Sequence, residues 1–348
     1  MSKTRIAVAG AGYIGQAHMD SIRRNADCEL AAVIDPAPAA QELANMAGAR
    51  WFASLEDMLA QARPDGVILA TPNQLHLAHA NECLDAGLPI LLEKPVTATV
   101  EEGEALMQRV QAEGAKVLVG HHRTHSPIMA QAREIVQSGR LGRLVSVMGS
   151  AQFFKPDEYY ESAPWRKAPG AGPVLLNMIH EVHNLRMLCG EIIAVQAFAS
   201  NAVRGFAVED TAAINLRFAN GVLGVFMLSD TAASARSWEQ TSQENPAYST
   251  YGDEDCYTLA GTMGSLAVPT MRMKTYAREA DRSWWKPFDV SEEAVRRGDP
   301  IDFQLAHFAA VVRGEAEPLV TVRDGVQNLR VTEAIIQAAA TGKVVKLG

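Results

Sequence analysis

The first third of the chain carries short apolar runs at 5–9, 30–34, 66–70, 89–92 and 116–119. They are nearly continuous rather than alternating, as in parallel strands covered on both faces. Helix signals stand between them. Thr99 with Glu102 forms a capping box, and Gly114 stops that helix. Ser54 with Asp57 opens another, and Gly87 ends the one containing His76 and Asp85. This alternation predicts a doubly wound parallel sheet.

After His121 the pattern changes. Segments 144–154, 192–201, 209–218 and 222–229 alternate and read as strands, with Asn220-Gly221 as a two-residue hairpin turn. They predict a large, open, mostly antiparallel sheet, with one face on helices and the other free to pair with a second subunit. Two helices close the chain, near 302–313 and 324–340, stopped by Gly314 and Gly342. The polar, aperiodic stretch 229–257 holds Trp238, Tyr248 and Tyr251 and is expected to be an ordered lid. The fold class is therefore α/β, with one domain at 1–122 and a second at 123–348.

A length of 348 residues suits two domains. The net charge of -8 turns the reading away from nucleic acid and anionic membranes. No apolar run approaches the roughly 18 residues of a membrane span, and the N-terminus has no signal-peptide pattern. Cys28, Cys83, Cys189 and Cys256 are too far apart for a disulfide framework or zinc knuckle. A soluble cytoplasmic protein with a small-molecule substrate is the expectation.

Gly10-Ala11-Gly12-Tyr13-Ile14-Gly15 directly follows the first strand and opens a helix, and Asp35 closes the next strand. That context is what dinucleotide binding requires. Gly10 permits the turn, Gly12 the approach of a pyrophosphate, and Gly15 close helix–strand packing. Asp35 would accept from the adenosine ribose hydroxyls and repel a 2′-phosphate, and Pro36, Ala37 and Pro38 bring no arginine. The cofactor is read as NAD rather than NADP. The competing reading is a structural glycine turn with a surface aspartate.

The glycine motif, Ala70-Thr71-Pro72-Asn73 with His76, and Glu93-Lys94-Pro95 together resemble the Gfo/Idh/MocA family of NAD(P)-dependent oxidoreductases. The match is specific over about the first 125 residues and continues more weakly to Gly190. The resemblance implies a Rossmann domain followed by an α/β domain whose open sheet forms homodimers or homotetramers. Lys94 would stand between nicotinamide and substrate, before a proline bond that is often cis. The glycine-motif residues Gly10, Gly12, Tyr13, Ile14 and Gly15, together with Asp35, would hold the cofactor. So would Thr71, Pro72, Asn73, His76, Glu93 and Lys94, and from the second domain Trp165 and Arg166. Lys94, His122, Arg123, Trp165, Asn177 and His180 would meet the substrate.

Oxidising an alcohol also releases a proton. Helical spacing puts Asn177, His180 and Asn184 on one stripe, and histidine suits general acid–base work near neutral pH. The resemblance implies an aspartate four residues before His180, but Leu176 stands there. Asn177 can hold a substrate hydroxyl but cannot act as a base. The alternative of zinc fails on spacing: His180-Glu181-Val182-His183 lacks the i,i+4 histidines of HExxH, so no metal is expected. Arg123 and Arg166, if both face the substrate, favour a carboxylate or sulfonate. The expected activity is NAD-dependent oxidation of a secondary alcohol of a cyclic polyol, sugar or sugar acid. Redox-neutral glycoside hydrolysis with tightly held NAD, or non-catalytic dinucleotide sensing, are the alternatives.

Overall fold

The computed structural model describes residues 3–347, in two compact units. The first takes the chain up to His125 together with Asp299–Leu329, and the second takes Ser126–Gly298 and the chain from Arg330.

The first unit begins with β1 (Thr4–Ala9), α1 (Tyr13–Arg24), β2 (Cys28–Ile34), α2 (Pro38–Met46), β3 (Arg50–Phe52) and α3 (Leu55–Gln61). It continues with β4 (Gly66–Leu69), α4 (His76–Asp85), β5 (Ile90–Leu92), α5 (Val100–Glu113) and β6 (Val117–Val119). The strands are all parallel in the order β3-β2-β1-β4-β5-β6. Every residue of β4, β5 and β6 is buried, as their unbroken apolar runs require. The strand order reverses between β1 and β4, so the loops after these two strands flank the crevice where ligands of such sheets bind. Thr99 and Ser54 cap α5 and α3 as expected, and Gly114 ends α5 in the left-handed conformation. The three-residue β3 was too short to read from pattern.

The second unit holds α6 (Pro127–Gln137), β7 (Leu144–Gln152), α7 (Asp157–Glu161), α8 (Ile179–Cys189), β8 (Ile192–Ser200), β9 (Thr211–Phe218) and β10 (Leu223–Ser229). It goes on through α9 (Trp238–Thr241), β11 (Tyr257–Gly261), β12 (Gly264–Val268), β13 (Arg272–Thr275) and β14 (Asp289–Glu292). The chain then returns to the first unit as α10 (Pro300–Val312). Helix α11 (Val322–Thr341) starts there and ends in the second unit, before β15 (Val345–Lys346).

The second sheet has nine strands in the order β14-β13-β12-β11-β7-β10-β9-β8-β15. Its pairs are antiparallel except β7 with β10. Inward residues such as Ile214, Leu216, Phe226 and Leu228 share a core with Ile128 and Met129 of α6 and Val182 and Leu185 of α8. The opposite face carries exposed Leu223, Val225 and Met227.

The first unit takes in more of the chain than 1–122. It runs to His125 and includes Asp299–Leu329. The reason is packing: α10 lies on α1 and on the turn at His122–His125, Arg24 pairs with Asp299 and Asp302, and Val119 N–H donates to Val320 O. The β9–β10 connection is not a two-residue turn. Phe218 N–H donates to Val222 O and Gly221 alone has positive φ (88°), whereas a type I′ turn needs it at both central residues. The stretch 229–257 is in part core: Trp238 is buried and donates through Nε1 to Glu244 Oε2 at 3.0 Å, and Ser126 Oγ donates to Glu244 Oε1 at 2.5 Å.

Candidate active site

The glycine loop fits a dinucleotide. Gly10 has φ +94°, and a Cβ there would lie 2.4 Å from Ala70 O. A Cβ on Gly15 would lie 1.9 Å from Gly10 O, while one on Gly12 would meet nothing within 4 Å. Two glycines thus let backbone segments touch, and the third faces open space. No side chain caps α1, so its first amides stay available to phosphate oxygens. Tyr13 is exposed and Ile14 half-buried beside them. Asp35 follows β2, its Oδ2 accepting from Ala11 N–H at 2.9 Å and its Oδ1 from Ala37 N–H at 2.8 Å. Each oxygen keeps a lone pair for a ribose hydroxyl. Thr71, Pro72 and Asn73 follow β4 on the other side of the switch point.

Lys94, half-buried, emerges at the carboxyl end of β5, and its bond to Pro95 is cis. Four hydrogen bonds fix this loop. Glu93 is buried, its Oε2 accepts from Lys94 N–H at 3.2 Å, and its Oε1 lies 2.8 Å from His18 Nε2. Gly120, after β6, leaves the carboxylate room, since a Cβ there would come within 2.8 Å of it. His76, fully buried, sets Nδ1 2.8 Å from Pro95 O and Nε2 2.9 Å from Thr71 O. It therefore ties the loop after β4 to the loop after β5.

The charges here are uneven. Burial pushes Glu93 upward, but its hydrogen bond to His18 and the nearby Lys94 charge help to outweigh this, and its pKa falls below the ordinary value. Burial lowers His76, against the pull of its two carbonyl partners. Burial and the adjacent Arg123 charge bring His122 down to about 3, so its imidazole is neutral at physiological pH. Arg123 is buried next to it.

The second unit gathers the other candidates around the end of β7 and the start of α8. Trp165 is exposed, and Arg166 stacks 3.8 Å above the Tyr159 ring, its Nη1 donating to Tyr159 O at 2.5 Å. Asn177 lies in a π turn, Val174–Met178, that runs into α8. His180 is buried one turn later. Asn184 does not share a stripe with Asn177, because it is fully buried and donates through Nδ2 to Tyr257 OH at 2.9 Å. The Tyr257 hydroxyl in turn donates to Glu181.

Pattern reading missed Lys155. Its ammonium donates to Asn177 Oδ1 at 2.7 Å and lies 3.7 Å from Asp230 Oδ2. Asp230 also accepts from Tyr160 OH at 2.5 Å and Arg204 Nε at 3.2 Å. One signal was available: Lys155-Pro156, like Lys94-Pro95, follows a strand end. Among the described residues no group of three or more His, Cys, Asp or Glu side chains could hold a metal ion, and no helix is long and apolar enough to cross a membrane.

Two family models match. Residues 4–121 fit the oxidoreductase family with an NAD-binding Rossmann fold, and residues 129–267 fit the GFO/IDH/MocA C-terminal domain. The chain belongs to the Gfo/Idh/MocA family. It is an NAD-binding oxidoreductase.

Several family relatives match over nearly their whole length. Inositol 2-dehydrogenase of Rhizobium meliloti (strain 1021) is 24% identical over 99% of both chains. The scyllo-inositol 2-dehydrogenase (NAD(+)) of Bacillus subtilis (strain 168) is 27% identical over 99% of this chain and 96% of its own. The WlbA dehydrogenase from Bordetella pertussis, solved in complex with NADH and UDP-GlcNAcA, superposes with a TM-score of 0.79 at 26% identity, covering 99% of both chains.

Proposed function

We propose that this Gfo/Idh/MocA oxidoreductase oxidises a secondary alcohol of a cyclic polyol, sugar or sugar acid, with Lys94 and His180 handling the proton. The observation that carries this is the clamp on Lys94. Glu93 holds its backbone N–H and His76 holds the Pro95 carbonyl, so the amine stands on fixed backbone at the carboxyl edge of the sheet. The inositol dehydrogenases among the relatives give the substrate class its support.

The alcohol loses a hydride and a hydroxyl proton. NAD, when bound, accepts the hydride at nicotinamide C4. Lys94 hydrogen-bonds the reacting oxygen and stabilises the negative charge that develops on it as the proton leaves. His180 takes the proton as general base, a role open to an imidazole near neutral pH. Glycine-motif amides and Asp35 hold the cofactor. The exposed apolar face of the nine-stranded sheet pairs with a second copy, giving a cytoplasmic homodimer or homotetramer.

The test is Lys94→Ala, assayed for NADH formation on cyclic polyols, sugars and sugar acids. Turnover should fall by about 100-fold or more, while calorimetry shows NAD binding retained. Undiminished turnover would overturn the proposal.

A further inference from the structure

Asn177 holds a side-chain amide whose orientation the protein dictates. Its Oδ1 is 2.7 Å from Lys155 Nζ, and an ammonium group can only donate. The oxygen must therefore face Lys155, which turns the NH2 group outward. Among the described residues that NH2 group has no hydrogen-bond partner, and Asn177 is only half-buried, so both N–H donors are open to a ligand.

Lys155 is not free to release the amide. Its side chain is nearly buried, over the rings of Tyr159 at 4.9 Å and Phe153 at 5.5 Å. Asp230 stands on another side of the ammonium at 3.7 Å. Its backbone is pinned as well: Lys155 N–H donates to Asp230 O at 2.9 Å, and Lys155 O accepts from Arg204 Nη2 at 2.7 Å. The π turn carrying Asn177 runs directly into α8, where His180 follows three positions on, on the same side of the helix.

We infer that Lys155 and Asn177 form a substrate-recognition pair that selects a carboxylate, so that the preferred substrate is a sugar acid rather than a neutral polyol. An ionised carboxylate offers only acceptors and matches the outward NH2 group, which offers only donors. A hydroxyl can accept there too, but as a neutral acceptor it gains less than a charged one. Asn177 is the contact, and Lys155 is the positioning residue that keeps the amide from flipping. The inference rests on the proposed dehydrogenase reading, which it narrows.

D-glucuronate and D-glucose, which differ at one carbon, separate the two chemistries. Their binding is measured by calorimetry to the enzyme–NADH complex, where no oxidation can occur. Wild-type protein should bind glucuronate at least about tenfold more tightly than glucose, in line with a hydrogen bond to a charged group. Asn177→Asp should erase that preference, and Lys155→Met should reduce it by letting the amide flip. Lys155→Arg, which still donates, should keep it. Thermal unfolding and NADH binding check that each variant is folded, and Asn177→Ser serves if Asn177→Asp is not.

No preference in the wild type, no binding of either sugar, or a preference unchanged in both Asn177→Asp and Lys155→Met would overturn the inference. NADH formation from polyols or sugars without a preference for the acid leaves the dehydrogenase reading standing alone. A preference with no turnover on any substrate removes that reading instead.

Discussion

His18 Nε2 lies 2.8 Å from Glu93 Oε1, and both side chains are buried. The same carboxylate accepts from the backbone N–H of Lys94, so a contact from α1 steadies the residue proposed to meet the substrate. Removing one partner of a buried pair leaves the other uncompensated, at a cost of about 3–5 kcal/mol. His18→Ala should lose stability on that scale in urea unfolding. His18→Ala with Glu93→Gln should recover part of it, since no buried charge is then stranded. Equal losses in the single and double variants would refute the pairing.

Acid should weaken the fold before it weakens an ordinary protein of this composition. His122 is depressed from 6.5 to about 3, so between those values the unfolded chain binds a proton that the folded chain refuses. Stability is therefore lost as pH falls from about 6.5 towards 3, at up to roughly 1.4 kcal/mol per pH unit for each such group. His76, also lowered, pushes the same way. Glu93, held below its ordinary 4.5, adds a contribution present above 4.5 and lost as pH drops below it. Urea midpoints at pH 7 and pH 5 should differ less for His122→Asn than for wild type. Parallel shifts in the two proteins would rule this out.

What could be read from sequence follows from the range of the interactions. The parallel sheet was legible because β4, β5 and β6 are buried throughout, and β1 and β2 over their later residues, and so keep unbroken apolar runs. The glycine motif was legible because Gly10 and Gly15 answer to backbone contacts that no Cβ would survive. The His18–Glu93 pair was not, because its members are 75 positions apart and nothing around His18 points to Glu93. Lys155 stayed hidden for the same reason: its meaning lies in Asp230 and Asn177. The return of 299–329 to the first unit depends on what α10 packs against, which its own pattern does not state.

Cofactor choice should pivot on Asp35. Its carboxylate is already oriented by Ala11 and Ala37 N–H groups, so it can meet ribose hydroxyls without reorganising. Asp35→Ser removes the charge that would repel a 2′-phosphate. Calorimetry with NADH and NADPH should show the preference for NADH falling by about tenfold or more. An unchanged ratio would mean that Asp35 only braces the glycine loop.

The open face of the second sheet should hold subunits together. Val225 of β10 is paired with Met148 of β7, and partners in register share a face. Both are exposed, at 48% and 58%, with Leu223 and Met227 along the same edge of β10. Their neighbours on the other face, Phe226 and Leu228, are buried, so the apolar character of the outer face is not forced by the core. A self-complementary patch of this kind suits a two-fold interface. Val225→Asp places a charge at its centre and should shift the protein to monomers in light scattering. Met46→Asp, at an equally apolar but isolated exposed site, should leave the assembly unchanged. If wild type is already monomeric, or if both variants dissociate alike, the sheet face is not the interface.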